Sequence, residues 1–334
     1  MTPTLLFIHG RSQASNDEIA RDPEQLASYV LGKKRSWLGG LARGLITAGH
    51  RPADESAVLF PFYGNAFADA IAEYERGGGR RPDLEILAGE PADDRELVDT
   101  KADALLETAA ALGFDPAREM GYTDPKIGEM VAQRAGQEGL GFGDVLRLPV
   151  LRSAMQFIGR KTGVPSLVIE RFLDDVAYYL RMPRMRETVL DVVLDDLNRK
   201  LPQGGELVVV GHSLGTVVAY DLLTRLPDTF PVRQFVTAGS PLGLPVVQRH
   251  LLGASERAKP PVPGPVPRRA GGWLNAYDVL DVVALLHPLA GAFTETAGRQ
   301  VTDERTHNPG GPHSITDYLA DPDVAGPIGR ALEF

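Results

Sequence analysis

The chain has 334 residues, 43% hydrophobic and 24% charged, and its 35 basic and 44 acidic side chains leave a formal net charge of −9. That composition fits a globular chain with a sizeable core and not a disordered one, and the acidic balance argues against a nucleic-acid binder, which needs a basic face to meet phosphates. The chain contains no cysteine, so disulfides, thiolate catalysis and cysteine metal sites are excluded.

Thr4 to Ile8 is a short, continuously apolar run stopped by His9-Gly10, the pattern of a strand buried on both faces in a parallel sheet. It is too short for the apolar core of a signal peptide, and no run approaches the roughly 18 apolar residues of a membrane span. The expected location is cytoplasmic. A helix is predicted from about Arg35 to Ala48, with Trp37, Leu38, Leu41 and Leu45 at helical spacing, and a second strand over Ala57 to Phe62, ended by Tyr63-Gly64-Asn65.

From about Phe67 to Arg181 the pattern is almost wholly helical, and Val168, Phe172, Val176 and Leu180 predict a buried stripe on its last helix. A strand-poor insertion within a strand–helix alternation predicts a helical cap at 65–182 on an α/β core formed by 1–64 and 183–334. Within the cap, Val145 to Lys161 mixes Leu146, Leu148, Leu151, Met155 and Ile158 with Arg147, Arg152, Arg160 and Lys161. Two readings stay open for it: a basic amphipathic lid that contacts a membrane, or a cap helix with a solvated basic face. The Gly139-Leu140-Gly141-Phe142-Gly143 run could hinge such a lid, and it lacks the Lys and Ser/Thr of a phosphate loop. The alternation then resumes, with a helix at Met185 to Leu201, a strand at Glu206 to Val210, a helix at Thr216 to Arg225, strands at Gln234 to Ala238 and Trp273 to Tyr277, and a proline-rich loop at Lys259 to Pro267.

The chemistry concentrates on Gly211-His212-Ser213-Leu214-Gly215, a G-x-S-x-G between an apolar strand and a helix-forming run. A strand–turn–helix this tight needs small residues on both sides of the serine and exposes its hydroxyl. The bare pattern is common by chance in a chain with 36 glycines; the flanking strand and helix give it weight. A nucleophilic serine needs a base, and the base needs an orienting carboxylate, later in the chain and in the order acid then histidine. His313, in the glycine- and proline-rich stretch Asn308 to Ser314, is the candidate base, with His307 as runner-up; His250 and His287 lack that context. Asp278 and Asp281 both follow the strand at Trp273. Asp281 is favoured because it lies far enough past the strand end to turn back, and Asp278 is the alternative. The oxyanion hole is expected from the backbone N–H groups of Leu214 and Arg11, the latter next to the permissive Gly10.

With these residues the chain resembles the α/β-hydrolase superfamily, and within it lipase-like serine esterases. Phe7-Ile8-His9-Gly10-Arg11, the serine elbow, Thr237-Ala238-Gly239-Ser240-Pro241-Leu242-Gly243 and Trp273 to Val282 carry the likeness, together with His313, Ser314 and Tyr318. The likeness covers about residues 1–64 and 183–320, not the helical insertion. It departs from the family where Val282 stands in place of the proline that often follows the acid. The resemblance implies a mostly parallel sheet, a Ser-His-Asp triad, and hydrolysis of a small-molecule or lipid ester through an acyl-enzyme, with no cofactor and no nucleic-acid partner. Thioesterase, peptidase or acyltransferase activity on the same scaffold is the alternative among enzymes, and a catalytically silent binding module the alternative outside them.

Overall fold

The computed structural model describes residues 3–10, 15–84, 92–121, 143–201, 205–226, 230–252, 271–293 and 300–333. Six strands form one sheet: β1 (Thr4–Ile8), β2 (Val58–Leu59), β3 (Leu207–His212), β4 (Val232–Ala238), β5 (Trp273–Asp278) and β6 (Val301–Thr306). Their order is β2-β1-β3-β4-β5-β6 and every neighbouring pair is parallel. The helices are α1 (Asp17–Arg21), α2 (Pro23–Thr47), α3 (Gly64–Arg76), α4 (Ala92–Ala111), α5 (Pro116–Glu119), α6 (Gly143–Thr162), α7 (Ser166–Arg181), α8 (Pro183–Lys200), α9 (Leu214–Arg225), α10 (Pro245–Leu252), α11 (Ile315–Ala320) and α12 (Pro322–Leu332). The architecture is thus α/β, a parallel sheet with helices on both faces.

Alternate residues of each strand enter different cores, as the two-residue pleat requires. Leu6, Ile8, Leu207, Val209 and Phe235 join a cluster that continues without a break into α3, α4, α6, α7 and α8. Leu5, Phe7, Val208, Val210 and Val236 face the opposite way, against Trp37, Leu41 and Leu45 of α2 and against α11 and α12. The helical stretch between β2 and β3 therefore shares one continuous core with the sheet. Its link to the serine helix is ionic as well as apolar. Asp221 of α9, 2% exposed, accepts from Arg186 of α8 at 2.5 and 2.6 Å, from Arg225 at 3.0 Å and from the Tyr179 hydroxyl of α7 at 3.0 Å.

Several expectations are corrected. Helix α2 begins at Pro23, not near Arg35: the Asp22 carboxylate caps the Glu24 and Gln25 N–H groups, and proline occupies the first turn, where its missing N–H costs nothing. Strand β2 spans only Val58–Leu59, because residues 55–57 form a 3₁₀ turn capped by Asp54. On α7 the buried stripe runs through Ile169, Leu173 and Val176, whereas Val168 is 54% exposed; the helix starts at Ser166, and its first three residues face outward before Ile169 turns into the core. Strand β6 was not foreseen at all, since Thr302, Asp303, Glu304 and Arg305 make it read as a polar loop; it is an edge strand that buries only its two ends, Val301 and Thr306. On α6, Leu151, Ala154 and Ile158 are fully buried against the helical core and Arg152, Arg160 and Lys161 face solvent. Of the supposed lid hinge at 139–143, Gly143 opens α6 and residues 139–142 lie outside the described residues, as does the proline-rich loop at 259–267. No helix among the described residues is long and apolar enough to cross a membrane.

Gly44 marks the closest approach of α2 to its neighbours: a Cβ there would run into the Leu319 carbonyl oxygen and lie 2.6 Å from the Ala325 Cβ. Gly39, five residues earlier on the same helix, has open space around it. Gly44→Ala is therefore expected to lower the unfolding free energy by about 1–3 kcal/mol through overpacking, while Gly39→Ala raises it by up to about 1 kcal/mol through helix propensity. Urea denaturation of the two variants checks this, and equal shifts would refute the packing argument.

Candidate active site

All six strands are parallel, so their carboxyl ends share one edge of the sheet. The chain leaves β1 towards β2 on one side and returns to β3 on the other, which makes the β1/β3 boundary the switch point where α/β sheets open a crevice. Ser213 stands there, between the end of β3 and the start of α9.

Ser213 has φ 57° and ψ −134° and is the one non-glycine residue with positive φ among the described residues. Such a conformation costs on the order of 1–3 kcal/mol and persists only where the surroundings over-determine it. Here the Ser213 N–H donates to the Ala238 carbonyl at 3.1 Å. Its own carbonyl accepts from the Thr216 N–H at 2.9 Å and the Thr216 hydroxyl at 2.8 Å. The Thr216 hydroxyl also meets Ser240 Oγ at 2.8 Å. The flanking glycines are steric necessities. A Cβ at Gly211 would lie 2.8 Å from the Gly215 oxygen and from the Thr216 Cα, and one at Gly215 would penetrate the Ile8 and His9 carbonyls at the end of β1.

The loop after β1 comes against the serine: a Cβ on Gly10 would be 3.3 Å from Ser213 Oγ. His9 anchors this loop from inside the protein. It is fully buried and stacks on Tyr63 at 4.1 Å. Its Nδ1–H donates to the Gly10 carbonyl at 2.6 Å, its Nε2 accepts from the Tyr63 N–H at 3.3 Å, and the Tyr63 hydroxyl donates to the His9 carbonyl. That pattern suits a single neutral tautomer, and burial lowers the His9 pKa from 6.5 to about 4. Of the two expected oxyanion donors, Leu214 is the first residue of α9 and its N–H has no acceptor within the helix. Arg11 lies outside the described residues.

The histidine and the acid are brought together. His313 Nδ1 lies 2.8 Å from Asp281 Oδ2, with Asp281 fully buried and His313 partly exposed. Asp281 Oδ1 accepts from the Val283 N–H at 2.9 Å, and Oδ2 also accepts from the Tyr318 hydroxyl at 2.8 Å. The alternative acid, Asp278, is occupied otherwise: its carboxylate accepts from the Leu280 and Asn308 N–H groups, each at 2.8 Å, and ties the end of β5 to the loop that carries His313. The runner-up base, His307, is exposed. His287 stacks on Tyr277 and bonds to the Ala284 carbonyl, and His250 bonds to Val246 within α10.

His212 couples this pair to the serine. It immediately precedes Ser213, its ring centroid lies 4.4 Å from that of His313, and its Nε2–H donates to the His313 carbonyl at 3.1 Å. Burial, with the neighbouring His313 as a smaller cause, holds the His212 pKa well below the ordinary value. Among the described residues no hydrogen bond joins Ser213 Oγ to His313 in this conformation; unliganded sites commonly have such contacts long. Gly239 floors the site. Its φ is +57°, and a Cβ there would be 2.7 Å from Asp281 Oδ2 and 3.0 Å from His313 Nδ1.

The sequence pattern did not single out Thr216, Ser240, Gly239 or Tyr318 as parts of the site. Gly239 and Ser240 carried a signal in the Thr-Ala-Gly-Ser-Pro stretch, where a glycine just past a strand suits a left-handed turn. Tyr318 was marked only by the family likeness of the His313 region, and nothing local points to its role, because its partner is 37 positions away. No family model, curated protein or solved structure matches the chain.

The two buried neutral imidazoles make stability depend on pH. Folded His9 refuses the proton that the unfolded chain binds near 6.5, so its contribution is complete above about pH 6.5 and is lost as the pH falls towards 4, by about 3 kcal/mol in all. His212 acts with the same sign. The urea midpoint is expected to fall steeply between pH 7.5 and 4.5, and to fall less in His9→Gln; a wild-type midpoint flat across that range would refute the neutral assignments.

Proposed function

We propose that this protein is a serine hydrolase of the α/β-hydrolase class that cleaves a carboxylic ester, of a lipid or a small molecule, through an acyl-enzyme. The observation that carries the reading is the strained Ser213, held at the switch point of a parallel sheet beside the pair formed by the partly exposed His313 and the buried Asp281. A glycine-flanked serine at positive φ presents its hydroxyl where a substrate could reach it, and strain of this kind clusters at functional sites.

In this reading Ser213 Oγ attacks the acyl carbonyl carbon while His313 Nε2 takes its proton. Asp281 holds Nδ1–H and balances the imidazolium. The carbonyl oxygen, now carrying the negative charge, lies against the N–H of Leu214 at the positive end of α9. Collapse of the tetrahedral intermediate breaks the ester bond, and His313 returns the proton to the leaving alkoxide. Water, activated by the same imidazole, then releases the acid and restores the serine. His9 takes no part in the proton transfers: fully buried and neutral, it fixes the Gly10 backbone against the nucleophile.

A fluorophosphonate probe is expected to add one adduct at Ser213 and none to Ser213→Ala; an unchanged wild-type mass would overturn the proposal. Asp281→Asn should lower kcat for an activated ester by about 10³–10⁴-fold. Asp278→Asn should act mainly on stability, since its carboxylate binds backbone N–H groups. The reverse ranking in a steady-state assay would reassign the acid. A silent binding module would turn over no ester in a Ser213-dependent way.

A further inference from the structure

Tyr318 lies on α11, the helix that begins two residues after His313. Its ring is fully buried between α2 and the sheet, in the core with Trp37, Leu41 and Ala276. Its hydroxyl makes two bonds: it donates to Asp281 Oδ2 at 2.8 Å and accepts from the Asp278 N–H at 2.9 Å. The first of these lands on the same carboxylate oxygen that faces His313 Nδ1. The titratable groups around the Asp281–His313 pair are His212 at the end of β3, Tyr318 on α11, and Asp278 behind it at the end of β5, which is turned onto the Leu280 and Asn308 N–H groups. Burial, together with the charge of Asp281, raises the phenol pKa far above its ordinary range, so it remains a neutral donor at any working pH.

We infer that Tyr318 is a positioning residue for the reaction, fixing the rotation of the Asp281 carboxylate and sharing its Oδ2 with His313 through the chain Asp278 N–H to Tyr318 O–H to Asp281 Oδ2. The inference rests on the hydrolase reading for its kinetic consequence, though not for the hydrogen bond itself. Oδ1 is held by the Val283 N–H, so with both oxygens engaged the carboxylate cannot swing away from the imidazole. A donor bonded to a charged acceptor is among the stronger hydrogen bonds, and the backbone N–H feeding the phenol oxygen polarises it further. The second donor also disperses charge on Oδ2, which weakens the pull of Asp281 on the Nδ1 proton. The phenol thus trades some basicity of the carboxylate for its fixed direction.

Tyr318→Phe keeps the ring and removes only the hydroxyl. The Nδ1 proton of His313 is read by low-field ¹H NMR, assigned by its loss in His313→Gln. In Tyr318→Phe that resonance should move downfield, as Oδ2 is left to His313 alone. With an activated ester, kcat should fall about tenfold with little change in KM, and the acid limb of the kcat/KM profile should move to higher pH. A resonance and an acid limb that both stay at their wild-type positions would overturn the inference. If the Phe variant does not fold, 3-fluorotyrosine at position 318 retains the hydroxyl as a stronger donor and should move the resonance upfield; an unmoved resonance there overturns the inference equally. Should wild-type Ser213 fail to react with fluorophosphonate, the hydrolase reading falls while the resonance still decides whether Tyr318 acts on the pair.

Discussion

Ser213 can hold a backbone conformation that L-residues avoid because everything around it removes the alternatives. The Ala238 carbonyl takes its N–H, Thr216 takes its carbonyl twice over, and no side chain at 211 or 215 fits between β1, β3 and α9. The cost of the strain is carried by the sheet. It follows that the order of the strands is itself part of the site. Only with β1 beside β3 can the Ile8 and His9 carbonyls close over Gly215, and only with β4 on the other side of β3 can Ala238 reach the serine N–H. The Asp281–His313 pair depends on the same edge. Asp281 follows β5 and His313 follows β6, and Asp278 pins those two exits to each other.

Much of this was legible in the sequence where local pattern and chain order carry the information. The elbow announces itself through an apolar strand, two glycines and a helix-forming run, because the steric rule it obeys involves neighbours in sequence. The histidine was separable from its rivals by the loop that holds it. The two aspartates were harder to separate, as both follow the same strand. What distinguishes them is the backbone each one meets, and for Asp278 that is Asn308, thirty positions away. Tyr318 is the same case at greater distance. The edge strand β6 escaped because an edge needs no apolar run: four of its six residues are polar and not buried, and it is a strand only through the register of Trp273 with Val301 and its successors. The start of α2 is different in kind, since the Asp22-Pro23 cap is a local signal.

A second polar thread crosses the sheet under the acid. Thr237, Asn275 and Asp303 occupy matching register positions on β4, β5 and β6. Thr237 donates to Asn275, Asn275 donates to Asp303, and Asp303 also accepts the N–H groups of Leu289 and Ala290. Trp273 donates into the same thread through Thr237. The chain leaving Asp281 is thereby fastened at Leu289 and Ala290, so the acid sits on a segment with both ends held. Satisfied networks of this sort rigidify a core at the cost of desolvating their members, and this one spends that cost beside the groups whose directions matter most.

The ionic clasp at Asp221 bears on how this architecture could be altered by exchange of parts. Helical segments inserted between strands invite treatment as interchangeable modules, to be lifted from one enzyme and grafted onto another. Here the helix that begins just after Ser213 carries a carboxylate, 2% exposed, two of whose partners, Arg186 and Tyr179, come from α8 and α7. A graft that replaced those helices without returning an arginine and a hydroxyl to the same places would leave this buried carboxylate to Arg225 alone, with Oδ2 short of a donor, at a penalty of about 1–3 kcal/mol. The penalty would fall on α9, the helix whose first turn shapes the serine. Transplanting the helical layer is therefore a two-sided operation, and residue 221 would have to be chosen together with whatever is brought in.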